Sequence, residues 1–128
     1  MKQRAINSQD GPEPSGGYSQ AVEVSGGERT LYVSGQIPVG RNGSVPDTFA
    51  GQARLAWANI EAQLAAADMT LDNIVKHTTF LADRRYRSEN SEIRREVLGD
   101  NRAPALTVVI AAIYDEDWLL EIEAIAVD

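Results

Sequence analysis

The sequence predicts a single α+β domain in which two helices cover one face of a mixed sheet. Two stretches, 49–67 and 86–97, repeat apolar residues with helical spacing. Short runs rich in β-branched and aromatic residues lie before, between and after them, the composition of strands. With 128 residues the chain has the length of one ordinary domain, and 43% hydrophobic residues are enough to fill one core.

Residues 1–15, MKQRAINSQDGPEPS, are polar, contain Pro12 and Pro14 and show no periodicity. They read as an arm with little structure of its own, leaving 16–128 as the folded domain. AVEV (21–24) and TLYVSG (30–35) read as strands, and Gly26-Gly27 between them suits the positive φ angles of a tight hairpin turn. Pro38, Gly40, Asn42, Gly43 and Pro46 then punctuate a loop.

Ala53, Ala56, Trp57, Ile60, Leu64 and Ala67 form the stripe of a first helix, with Asp47 placed to cap it. Its alanines favour helix and let a sheet approach closely. NIVKHTTFL (73–81) reads as a strand. The second helix carries Tyr86, Asn90, Ile93 and Val97 on one stripe, with Gly99 as its stop. ALTVVIAAIY and WLLEIEAIAV form two closing strands around the acidic turn 115–117. The order is ββαβαββ, with both helices on one face of a mixed sheet.

Composition excludes several functions. The net charge of −7 argues against nucleic acid as a partner, because phosphate affinity comes largely from basic residues. Arg84, Arg85, Arg87, Arg94 and Arg95 cluster, but interleaved with Glu89, Glu92 and Glu96 they read as the solvated side of a helix. Absence of cysteine excludes disulfides, thiolate metal sites and cysteine nucleophiles, and accords with a cytoplasmic location. No apolar run approaches the roughly 18 residues of a membrane span, and Lys2 and Arg4 precede no signal-peptide core. The lone histidine, His77, cannot form a His–His metal pair and reads as structural or exposed. GGYSQ and SGGERT match neither a P-loop nor a dinucleotide fingerprint.

Two polar residues stand where apolar ones are expected. Asn90 interrupts the stripe of the second helix, either as a site residue or as a partner for backbone groups. Glu121 lies in the last strand, either as a buried carboxylate able to move protons and activate water, or facing solvent beside Glu123.

Seven segments, in order and with nearly conserved spacing, resemble the YjgF/RidA family, also called L-PSP: GGYSQAVEV, LYVSGQIPV, QARLAWANIEAQLAAA, LDNIVKHTTFLAD, Asn90 in the second helix, PALTVV and EIEAIAV. The resemblance implies a chorismate-mutase-like fold and a homotrimer whose clefts lie between subunits. It also implies cofactor-free hydrolysis of 2-imino acids or their enamines to 2-keto acids and ammonia. Carried over by position, the water-activating glutamate is Glu121. The cleft is completed by Tyr18, the Ser34-Gly35-Gln36 turn, Asn90 and the segment holding Leu106 and Thr107.

Two positions depart: Gly17 stands where the family usually has proline before Tyr18, and Leu106 stands where it has arginine. The family's carboxylate-binding arginine is replaced by Leu106, and the interval from Leu106 to Glu121 matches the family's, which argues against a slipped alignment. Loss of such a charge-assisted bidentate contact removes about 2–4 kcal/mol of carboxylate binding. Arg102, four residues earlier, is the nearest substitute. The resemblance therefore implies an imine or enamine hydrolase acting on something other than a standard 2-imino acid. A non-catalytic trimer holding a small metabolite is the second reading, and an endoribonuclease or translation inhibitor a distant third.

Overall fold

The computed structural model describes residues 1–128 and contains eight regular elements: β1 (Lys2–Ile6), β2 (Ala21–Ser25), β3 (Thr30–Gln36), α1 (Phe49–Ala66), β4 (Ile74–Leu81), α2 (Arg87–Leu98), β5 (Ala105–Ile110) and β6 (Leu120–Val127). The expected ββαβαββ order holds from β2 onward, with one extra strand ahead of it. Four strands form a mixed sheet in the order β3-β6-β4-β5, parallel only between β4 and β5. That parallel pair requires a crossover, and α2 supplies it.

Two expectations for the N-terminal third are corrected. The supposed arm forms β1, which pairs antiparallel with β2 from Lys2–Ser25 to Ile6–Ala21. Strand β2 leaves an edge to be paired, and backbone hydrogen bonding needs no apolar side chains. The β2–β3 hairpin does not form, because β3 pairs with β6 instead. Gly27 serves close approach rather than a hairpin turn. A Cβ there would lie 2.6 Å from Val127 Cγ1 and 2.7 Å from the Asp128 carbonyl oxygen.

Helix α1 provides most of the core. Ala53, Ala56, Trp57, Ile60 and Leu64 are buried against the sheet, where they meet Val33, Leu81, Leu120, Ile122, Ala124 and Ala126. Its cap is Thr48 rather than Asp47: the Thr48 hydroxyl accepts from the Gly51 N–H at 3.1 Å, from an extended backbone one residue nearer the helix. Gln52, buried in the first turn, donates to the Pro46 and Asp117 carbonyls and accepts from the Leu119 N–H, tying α1 to the β5–β6 connection. Gly99 ends α2 at φ 73°, as the sequence predicts.

Strands β4 and β6 alternate, with His77, Thr79, Leu81, Leu120, Ile122 and Ala124 turned toward the helices. The opposite face, with Tyr32, Thr78, Glu121 and Glu123, is covered by no element of this chain. No helix is long and apolar enough to cross a membrane.

Candidate functional site

On the open face, the register between β3 and β6 shifts from Val33–Ala124 to Gln36–Ile122, so Ser34 and Gly35 form an irregularity in the ladder. The Gln36 side chain donates to the Ser34 carbonyl at 3.0 Å, bracing it. Glu121 on β6 stands opposite Phe80 on β4, and its carboxylate lies over Gly35. A Cβ at Gly35 would fall 1.9 Å from Glu121 Oε2. The turn and the carboxylate, far apart in sequence, are thus brought into contact, and only glycine leaves the carboxylate in that position. Glu121 is half-buried in the single chain, between the two alternatives its sequence context leaves open.

The remaining expected residues gather elsewhere. The Ser19 N–H donates to the Pro104 carbonyl at 3.0 Å, and Ser19 bridges to Ala105. Half-buried Tyr18 is thereby set beside the start of β5, which carries Leu106 and Thr107. Leu106 is the register partner of His77, so it shares the helix-facing side, whereas Thr107 pairs with Thr78 and accepts from Lys76 Nζ at 3.2 Å. Leu106 and Glu121 therefore lie on opposite faces of one sheet. Asn90 is buried, 4% exposed, on the inner side of α2.

Arg102, the nearest substitute the sequence offers, is engaged within the chain. Its Nε pairs with Asp72 at 2.7 Å and its Nη1 bonds the Leu98 carbonyl at 2.7 Å, which ties the end of α2 to the start of β4.

Two residues read as bland in the sequence prove unusual. Arg94 is not on the solvated side of its helix; it is 5% exposed, one turn after Asn90 on the same inner face. Its Nε has no hydrogen-bond partner, and the four ion pairs of the molecule involve Arg4, Arg29, Arg54 and Arg102 instead. The guanidinium approaches Gly17, where a Cβ would be 3.6 Å from Arg94 Nη2. Burial lowers its pKa, the charge of Arg95 adds to that, and Tyr18 opposes it. The i to i+4 spacing from Asn90 was the sequence signal for Arg94, masked by the surrounding charged run.

His77 is fully buried, edge-on to Trp57 with ring centres 5.2 Å apart, and neither ring nitrogen has a partner. Burial, reinforced by the charges of Arg94 and Lys76, pushes its pKa down to about 3, so it is neutral at physiological pH. Tyr18 is shifted as well: hydrogen bonding from Ser15, whose N–H donates to the phenol oxygen at 3.3 Å, lowers its pKa, and Arg94 contributes in the same direction.

Comparison with known proteins adds independent information. Residues 8–128 match the family model described as Endoribonuclease L-PSP. A RutC family protein of Pyrococcus horikoshii is 34% identical over 123 residues, covering 94% of each chain. TdcF of Escherichia coli, provisionally named a reactive intermediate deaminase, is 33% identical over 127 residues, covering 97% of this chain and 96% of its own. The crystal structure of TdcF with bound serine superposes with a TM-score of 0.73, covering 98% of each chain. A Rid family protein of Yersinia pestis, YyfB, whose function is described as unknown, superposes with a TM-score of 0.84 at 27% identity over the whole of both chains.

Proposed function

Because the chain belongs to the YjgF/RidA (L-PSP) family, we propose that it hydrolyses a reactive imine or enamine other than a standard 2-imino acid, with Glu121 activating the water. The observation that carries this reading is the seating of the Glu121 carboxylate on Gly35 of the Ser34-Gly35-Gln36 turn, on a sheet face left open. Held there, the carboxylate takes a proton from water as its oxygen adds to the imine carbon. The proton then passes to the nitrogen to give a carbinolamine. As its C–N bond breaks, the hydroxyl proton passes through the carboxylate to the departing nitrogen, and a carbonyl compound and ammonia or an amine leave. An enamine enters the same sequence after protonation at carbon. The steps need no metal or organic cofactor.

Leu106 sets the substrate limit. An apolar side chain at this position offers nothing to a carboxylate and penalises its desolvation. The opposed placement of Leu106 and Glu121 also supports a homotrimer with clefts between subunits, since one chain alone does not bring them together. The uncovered sheet face, with Tyr32 75% exposed, is the surface such an assembly would cover.

The test is an imine-trapping assay. An amino acid oxidase generates 2-imino acids, semicarbazide captures them, and loss of trapped product reports hydrolysis. Wild type is expected to be slow on these substrates and Leu106→Arg faster, with activity lost in Leu106→Arg/Glu121→Ala. Undiminished rates in the double variant would remove Glu121 from the mechanism. Rapid turnover by wild type would show that Leu106 is no barrier.

A second reading, a non-catalytic trimer binding a small metabolite, draws on the apolar run Leu106, Val108 and Ile110 along β5. Silence from both wild type and Leu106→Arg favours it. An endoribonuclease role, which the description of the family model raises, ranks last for a chain of net charge −7.

A further inference from the structure

We propose that Arg94 is the chain's oxyanion anchor, receiving a carboxylate or phosphoryl group of the substrate between α2 and the Gly16–Tyr18 loop. This deepens the hydrolase reading and rests on it for the identity of the cleft. The anion sits not where the family arginine would hold it but on the helix side, so that it is displaced from the position that Leu106 occupies.

Arg94 carries an uncompensated charge. A guanidinium taken out of water is costly unless a carboxylate or several acceptors surround it. Arg94 is 5% exposed, lacks a carboxylate partner and leaves its Nε unbonded. Gln52, also buried, makes three hydrogen bonds by contrast, and the two unbonded nitrogens of buried His77 belong to a neutral ring rather than to a charge. The position is also specific. Arg94 follows Asn90 by one turn on the same face of α2, and it reaches Gly17, next to Tyr18. Ser19 in turn bridges to Ala105, the neighbour of Leu106. Arg94 therefore meets, from the helix side, the segments on which the expected cleft is built.

Two further features fit an anion. Gly16 and Gly17 both have positive φ, 121° and 74°, and lie against Arg95 and Arg94, so side chains here would be strained and would crowd the guanidinium groups. Arg95, which lies against Gly16, also lines a polar groove with Arg84, Arg85 and Arg87, where Glu92 is the one opposing charge. In a chain of net charge −7 this is a local positive approach, which draws anions toward Arg94.

The experiment measures the melting temperature of the full chain at constant ionic strength, titrated with pyruvate, inorganic phosphate or uncharged methyl pyruvate. At least one oxyanion is expected to raise it saturably, pyruvate identifying a carboxylate site and phosphate a phosphoryl site, and methyl pyruvate to leave it unchanged. Arg94→Met should weaken the apparent affinity by about 10- to 100-fold while the ligand-free melting temperature stays level or rises, because a buried unpaired charge has been removed. Arg94→Lys should retain part of the affinity, and provides the reading if the methionine variant folds poorly. No saturable shift from either oxyanion, or a shift that survives Arg94→Met, overturns the proposal. So does a change of oligomer mass on Arg94→Met without any oxyanion effect, which would assign the guanidinium to a carboxylate of a second copy. Oxyanion binding lost in Arg94→Met but unaccompanied by turnover supports the anchor and removes the hydrolase. Turnover that depends on Glu121 with no oxyanion binding does the reverse.

Discussion

Helices α1 and α2 cover the same face of one sheet but bury different chemistry. Helix α1 turns inward Ala53, Ala56, Trp57, Ile60 and Leu64, and its buried polar residue, Gln52, makes three hydrogen bonds. Helix α2 turns inward Asn90 and Arg94 beside Ile93 and Leu98, and Arg94 keeps an unbonded Nε. A polar group with closed hydrogen bonds fixes two segments together, as Gln52 does for α1 and the β5–β6 connection. One left open costs stability and points to a ligand. The first helix closes the bonds of its buried polar residue, and the second leaves one open.

The largest effect expected from this contrast lies in α1. Leu64 is completely enclosed, so Leu64→Ala should cost about 3–5 kcal/mol in urea unfolding. A loss below about 1 kcal/mol would break the assignment of α1 as the core helix.

Next comes acid sensitivity at the seam between the helices. Free histidine titrates near 6.5, whereas His77 in the folded chain is pushed down to about 3 by burial, with Arg94 and Lys76 adding to it. Between those values the unfolded chain binds a proton that the folded chain refuses. Stability is therefore retained above pH 6.5 and falls as pH drops toward 3, with about 2 kcal/mol lost by pH 5. His77→Met, similar in volume and without the orphaned nitrogens, should flatten unfolding free energy between pH 5 and 7. An unchanged slope would place the acid sensitivity elsewhere.

The smallest effect concerns how each helix begins. Thr48→Ala should cost about 1 kcal/mol through loss of the hydroxyl bond to the Gly51 N–H, while Asp47→Ala should cost almost nothing. Helix α2 has no side-chain cap on its first turn, so Tyr86→Phe should leave its helicity unchanged by circular dichroism. Equal losses from the two substitutions ahead of α1 would return the cap to Asp47.

Much of this organisation is legible in the sequence, because periodicity reports which face a helix or strand buries. Both helices, strands β2 to β6 and the stop at Gly99 follow from it. Pairing is less legible, since a strand's own pattern does not name its partner. AVEV and TLYVSG read well as strands yet pair with β1 and β6 rather than with each other. Strand β1 was hidden because nearly all its residues are exposed and its order comes from backbone bonds.

Within the candidate site, family position led to Glu121 and the Ser34-Gly35-Gln36 turn, and the contact between them adds a physical reason for glycine at 35. Arg94 escaped because a charge beside other charges looks solvated. Its burial depends on the approach of the Gly16–Tyr18 loop, which no local pattern records.

The edge-on contact of Trp57 with His77 has a practical consequence. Trp57 is 1% exposed and Trp118 half-exposed, so they should emit at different wavelengths, the enclosed indole toward the blue. Trp118→Phe leaves one tryptophan, excited apart from the four tyrosines at the red edge of the absorption band and fixed against a ring that is itself electrostatically coupled to Arg94. The intensity and colour of that single emitter then become an optical record of what happens behind α2, legible without a label and fast enough to follow in a stopped-flow cell.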